Sequence, residues 1–99
     1  MSETILTLHP QGKQGVNISR EKYNGIKAAI FDTLQTQGPM SHTELTSQVD
    51  AALSGSFDGS IPWYVTTVKL DLEARGAIER LPNTRPEQLR LTQREGSNV

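Results

Sequence analysis

The 99-residue sequence contains no cysteine, which excludes disulfide bonds, thiolate metal sites and cysteine nucleophiles. It has no apolar run long enough to cross a bilayer, and its first residues lack the basic and then apolar pattern of a signal peptide. We therefore expect a cytoplasmic protein that makes no contact with a membrane. Aromatic residues are also scarce, with one Trp, two Tyr and two Phe, so the core of the single expected domain must rest on aliphatic side chains.

The chain also lacks an excess of basic residues, since its net charge is −1. A DNA-binding domain usually carries such an excess, because contacts with phosphates supply most of the affinity. Residues 28–68 contain four acids and neither Lys nor Arg, whereas residues 69–94 contain six bases and four acids. This pattern indicates an acidic middle and a mildly basic C-terminal part, although an ordinary solvated surface explains it equally well.

Groups that could perform catalysis or bind a metal are few and scattered. His9 and His42 are the only histidines, and neither has a carboxylate or a second histidine at metal-ligand spacing. Residues 12–15 (GKQG) are similar to a phosphate-binding loop but lack its spacing and a helix directly after it, so we interpret them as a flexible turn. We predict a non-enzyme with no catalytic residue, no metal site and no cofactor.

Three segments have apolar residues at helical spacing and therefore predict helices. They span residues 20–36, 41–53 and 61–75. Ser19 and Ser60 are expected to cap the first and third helices, and the segment from Ser41 to Glu44 has the sequence of a capping box. Gly76 is expected to end the third helix in a left-handed conformation.

The chain after the third helix alternates around a proline-bounded turn, which predicts a β-hairpin over residues 77–92. Three helices followed by a hairpin are the order of a winged helix-turn-helix. We therefore predict an α+β fold in which residues 19–92 form a winged-helix domain and the hairpin is its wing. Residues 1–18 form an N-terminal extension in which residues 16–18 alternate like a short strand. Residues 93–99 show no pattern and are expected to be a disordered tail.

Two segments resemble a group of small, uncharacterised bacterial winged-helix proteins: HPQGKQGVNI near the N-terminus and FDGSIPWYVTTVKLDLEARGAIER further along. The phrase LEARGAIER, directly before the proline-bounded turn, is similar to the exit of the recognition helix in MarR- and PadR-type bacterial regulators. The architecture is similar over residues 20–92 and the motif over residues 68–81. These resemblances imply a winged helix and, by analogy with the regulators, a small transcription-factor-like protein; the first group has no settled activity to add.

Under the first hypothesis the third helix lies in the major groove of double-stranded DNA and the wing contacts the backbone. The candidate contacts are polar or basic: Thr66, Thr67 and Lys69 on the helix, and Arg80, Arg85 and Arg90 on the hairpin. Asp71 and Glu73 oppose this hypothesis, because they bring negative charge close to the expected path of the phosphates. The three arginines have an equally good alternative role, since cross-strand pairs with Glu79 and Glu87 would make the hairpin soluble.

Under the second hypothesis the third helix contacts protein. Its face opposite the apolar stripe holds Trp63, Leu70 and Ala74, which are unsuited to reading base edges. A second copy of the chain or another protein would cover these residues, and the two hypotheses are compatible because many regulators dimerise. A third covering is the N-terminal extension itself, whose apolar residues also need a place to pack: Ile5, Leu6, Leu8, Val16 and Ile18.

Overall fold

The computed structural model describes residues 3–9, 12, 15–81 and 87–92 and has an α+β fold, as predicted. The described helices are α1 (Arg20–Gln37), α2 (His42–Leu53) and α3 (Ile61–Ala74). Their bounds differ from the predicted ones by at most one residue at each end. The predicted hairpin turn at residues 82–86, which includes Arg85, lies outside the described residues, as does the predicted tail.

The described strands form two small antiparallel sheets. The strands are β1 (Thr4–Leu6), β2 (Asn17–Ser19), β3 (Met40–Ser41), β4 (Ile78–Leu81) and β5 (Gln88–Leu91). β1 pairs with β2, and the second sheet has the order β3-β5-β4. The sequence does not predict β3, because two residues are too few to show alternation. This strand depends on β5, against which Met40 lies opposite Leu89.

The predicted helix ends follow from local hydrogen bonds. The capping box at α2 is present, since the Ser41 hydroxyl accepts from the Glu44 amide and the Glu44 carboxylate accepts from the Ser41 amide. Ser19 and Ser60 cap α1 and α3 in the predicted way. Gly76, directly after the C-cap of α3, has a φ of 80°, a conformation that residues with a side chain rarely adopt. These local contacts determine where α2 and α3 begin and where α3 ends, and they involve only residues that are close in sequence.

One aliphatic core joins the three helices to both sheets. Its buried residues are Ile18, Tyr23, Ile26, Ile30, Leu34, Met40, Leu45, Val49, Ile61, Val65, Val68, Leu72, Ile78 and Leu89. On α3 the predicted stripe of Ile61, Val65, Val68 and Leu72 faces this core. The opposite side of α3 is thereby directed away from the core.

The N-terminal extension forms the β1–β2 hairpin, in which Ile5 lies opposite the buried Ile18. Thr7 continues the pairing beyond β1, because its amide donates to the Val16 carbonyl oxygen at 2.9 Å. The Thr7 hydroxyl also donates to that oxygen and accepts from the Val16 amide. These bonds hold the end of the hairpin closed beside Gly15.

Candidate functional site

The side of α3 opposite the core carries an uncharged band that we call the outer strip: Trp63, Thr66, Thr67, Leu70 and Ala74. Trp63 is 47% exposed and Thr66 is also exposed, whereas Thr67, Leu70 and Ala74 are half-buried. The Trp63 ring packs edge-to-face on Tyr64, with 4.9 Å between the ring centroids. The structure thus places an accessible aromatic ring at the N-terminal end of the strip.

The N-terminal hairpin lies along one side of the outer strip. Thr67 and Leu70 line a cavity of about 110 Å³ together with residues of this hairpin: Thr7, His9, Gly15 and Val16. The extension therefore accounts for part of the burial of Leu70, as one of the expected coverings required. The described residues of the extension leave Trp63 47% exposed.

Asp71 holds the hairpin against α3. Its side chain is fully buried, so its charge is not on the surface, contrary to the expectation that it would face phosphates. The carboxylate accepts from the Leu8 amide at 2.8 Å, from the Tyr23 hydroxyl and from Arg75 Nε at 2.8 Å. One side chain of α3 is thereby bonded to the N-terminal segment, to α1 and to its own helix.

The buried contact between Tyr23 and Asp71 makes the chain less stable at alkaline pH. Burial and the neighbouring Asp71 carboxylate raise the pKa of Tyr23 to about 12. Since a free tyrosine ionises near about pH 10, the unfolded state releases this proton first, and stability is lost as the pH rises through this interval. We expect the urea midpoint of the wild type to fall more steeply than that of Tyr23→Phe between about pH 9 and pH 12. Parallel slopes for the two proteins would contradict this assignment.

The other side of the outer strip is bordered by an ion-pair network centred on Glu73. Lys69 is 9% exposed, and its Nζ lies 3.1 Å from Glu73 Oε2. Arg80 of β4 reaches the same carboxylate, with 2.8 Å between its Nε and Glu73 Oε1. Arg80 Nη1 also lies 3.2 Å from Glu87 Oε1. Two of the candidate DNA contacts are thus joined to each other through one carboxylate.

The remaining hairpin arginines have separate positions. Arg90 Nε lies 2.6 Å from Glu79 Oε2, and these two residues face each other across β4 and β5. This is the cross-strand pair that the alternative role of the arginines anticipated. Arg85 lies outside the described residues, so the structure does not place it relative to Arg80 or Arg90.

His42 is a neighbour of the outer strip that sequence reasoning did not find. Its Nε2 lies 3.3 Å from Thr66 Oγ1, which links the start of α2 to α3. Burial and the positive charge of Lys69 lower the pKa of His42, and Glu73 opposes them only in part. Both effects favour the neutral form of the ring. No local pattern could have indicated this contact, because the two residues are 24 positions apart.

A second cavity, of about 310 Å³, opens between the start of α1 and the α2–α3 loop. Its lining includes charges of both signs. The lining residues are Glu21, Lys22, Gly25, Ser56, Phe57 and Asp58. Lys22 Nζ lies 6.0 Å from the centroid of the Phe57 ring and 5.6 Å from that of Tyr64. The lysine of this cavity thus already contacts the two rings through cation–π interactions.

Within residues 3–9, 12, 15–81 and 87–92, no group of three or more His, Asp or Glu side chains could hold a metal ion. No helix in this part of the chain is long and apolar enough to span a membrane.

Residues 4–89 match the family of unknown function DUF6958, which covers most of the 99-residue chain. The chain belongs to this family. No curated protein and no solved structure matches it. The region shared with DUF6958 begins at β1 and ends within β5, so it includes the N-terminal hairpin, the outer strip and Glu73.

Proposed function

We propose that this chain is a non-enzymatic winged-helix protein whose outer strip on α3 binds protein, with a second copy of the chain as the partner. The order of the elements supports a winged helix, because α1, β3, α2 and α3 precede the hairpin β4–β5. The position of β5 between β3 and β4 also supports it, since the hairpin is then joined to the helices through β3.

The observation that carries the proposal is the exposed ring of Trp63 on an uncharged strip. Tryptophan is a frequent anchor of protein interfaces, because a single ring buries a large apolar area. The strip also suits a second copy, because a two-fold axis that brings an uncharged surface against itself creates no repulsion between like charges.

Double-stranded DNA is the second candidate partner. The positions of Thr66 and Thr67 on the outer strip favour it, because threonine can contact base edges and thymine methyl groups. The ion pairs weigh against it, because Lys69, Arg80 and Arg90 each contact a carboxylate already. A phosphate would have to compete with these carboxylates for the same donors.

Replacing Trp63 with alanine is expected to turn a dimer into a monomer while leaving the chain folded, because the exposed ring lies outside the core. Sedimentation velocity between about 1 and 200 µM would measure the change, since weak dimers dissociate in this range. Leu6→Ala is a matched control, because Leu6 is 52% exposed and lies outside the outer strip. A wild type that stays monomeric throughout, or equal dissociation of both variants, would contradict the proposal.

The DNA candidate is tested with the same wild-type protein. Fluorescence anisotropy of a labelled mixed-sequence duplex is measured at about 50 mM and about 200 mM salt, because phosphate contacts weaken strongly over this interval. Under our proposal the wild type does not bind at either concentration. Micromolar binding that is lost at the higher salt would favour DNA instead.

A further inference from the structure

Glu73 occupies a position from which it neutralises the basic side of α3. Its side chain is 8% exposed, and each of its oxygens faces a different cation. Lys69 approaches Oε2 from the same helix, and Arg80 approaches Oε1 from β4. Glu73 therefore joins the helix to the hairpin through both of their candidate phosphate-binding groups.

We infer that Glu73 determines the specificity of this surface by excluding nucleic acid from α3 and the hairpin. This inference rests on the proposed function, in which protein and not DNA covers the outer strip. The excluded ligand class is a phosphodiester backbone, whose oxygens would replace the carboxylate in its ion pair with Lys69 and in the hydrogen bond that it accepts from Arg80 Nε.

A phosphate from solution cannot easily displace this carboxylate. The Lys69 side chain is only 11% exposed, so its pair with Glu73 is poorly screened by water. The Arg80 side chain is more accessible, at 45%, but its guanidinium also contacts Glu87. Glu73 is permanently tethered beside both cations, whereas a phosphate would lose its freedom of motion on binding and would meet the negative charges of both glutamates.

The surroundings of the pair contain the other groups of a nucleic-acid surface. Thr66 is exposed and contacts the imidazole of His42. Removing the charge of Glu73 would leave Lys69 and Arg80 without their shared carboxylate. The surface would then present Lys69 without this carboxylate, and Arg80 with only the half-exposed Glu87 as its partner.

The test is the substitution Glu73→Gln, which preserves shape and removes the charge. We expect this variant to bind a labelled mixed-sequence duplex at least tenfold more tightly than the wild type at about 50 mM salt. The logarithm of its binding constant should fall with the logarithm of the salt concentration with a slope of about −2. Lys69 and Arg80 would each neutralise one phosphate, which releases the counterions of two phosphates from the DNA. Glu21→Gln is the matched control, since Glu21 is exposed on α1 and its loss changes the net charge equally, from −1 to 0.

Two further variants keep the test independent of folding. Glu87→Gln removes a half-exposed carboxylate, stays folded, and should give a smaller gain with a slope of about −1. Glu73→Gln with Glu87→Gln should bind most tightly, and its control is Glu21→Gln with Asp50→Asn, both exposed positions. Both double variants have a net charge of +1, that is −1 plus two removed acids. Circular dichroism and thermal unfolding identify the variants that are folded.

The possible results separate the inference from the proposed function. If the wild type does not bind and the folded variants gain nothing over their controls, the role of Glu73 is overturned and the protein-binding proposal stands. If the wild type binds but Glu73→Gln binds at least tenfold more tightly, the proposed function is overturned and Glu73 weakens the binding of nucleic acid without excluding it. Equal binding by both proteins overturns both.

Discussion

Replacing Asp71 with asparagine is expected to lower the free energy of unfolding by about 3 kcal/mol, a large share of the stability of a domain of this size. The carboxylate is fully buried, and both of its oxygens accept hydrogen bonds from more than one donor. An asparagine side chain has one oxygen and one amino group, and the amino group cannot accept. At least one buried donor is therefore left without a partner, and Arg75 loses its ion pair.

The loss is expected to be greatest in the N-terminal segment. Leu8 is 63 residues from Asp71 in sequence, and the bond from its amide holds the end of the hairpin to α3. Chemical denaturation measures the total effect, and hydrogen exchange of the Leu8 amide locates it. Asp32→Asn on the exposed side of α1 is the control and should change stability by less than about 0.5 kcal/mol. An unchanged denaturation midpoint for Asp71→Asn would show that the buried carboxylate contributes nothing.

Replacing Gly15 with alanine is expected to cost about 3 kcal/mol and to open the end of the β1–β2 hairpin. A Cβ atom at this position would lie 1.7 Å from the Thr7 carbonyl oxygen and 2.6 Å from its carbon. Both are backbone atoms next to a side chain that is only 2% exposed, so they cannot move aside as a flexible side chain could. Gly15 does not have a positive φ, so glycine is required here because the Thr7 backbone approaches it closely.

Gly25→Ala is the matched control for this substitution. Gly25 lies within α1, and a Cβ atom there would meet nothing within 4 Å. Alanine should therefore stabilise the helix by about 0.5–1 kcal/mol, because it loses less conformational freedom on folding. The midpoint temperature of thermal unfolding should fall for Gly15→Ala and rise for Gly25→Ala. Equal behaviour of the two would mean that the contact between Gly15 and Thr7 is not maintained in solution.

Gly15 also illustrates a limit of sequence reasoning. The sequence predicts a flexible turn at residues 12–15, because they lack the spacing of a phosphate-binding loop and a helix directly after it. The amide of Gly12 does donate to the carbonyl oxygen of His9 at 3.0 Å, as in a turn, and Lys13 and Gln14 lie outside the described residues. The role of Gly15 depends on Thr7, which approaches it from the paired strand. Composition indicates where glycine is frequent but not which backbone comes close to it.

The candidate site was predictable only in part, because sequence does not show which distant segments of the chain come close to it. Helical spacing alone predicted that Trp63, Leu70 and Ala74 share the face opposite the core stripe. It could not predict that Leu70 would be half-buried beside the N-terminal hairpin while Trp63 stays exposed. The sequence predicted pairs of the hairpin arginines with Glu79 and Glu87 without assigning the partners, and the structure pairs Arg90 with Glu79 and Arg80 with Glu87. The contact between Arg80 and Glu73 was not foreseen, since it joins a strand to the preceding helix.

The sequence by itself determined the α+β class, the bounds of the three helices and the side of α3 that faces the core. These features depend on interactions between residues at most a few positions apart, such as the capping box from Ser41 to Glu44. Only the tertiary structure decided the pairing of β3 with β5, the burial of Asp71 and the sharing of Glu73 by two cations. Each of these requires side chains or strands from distant parts of the chain to meet, and their energy depends on the burial that the meeting itself produces.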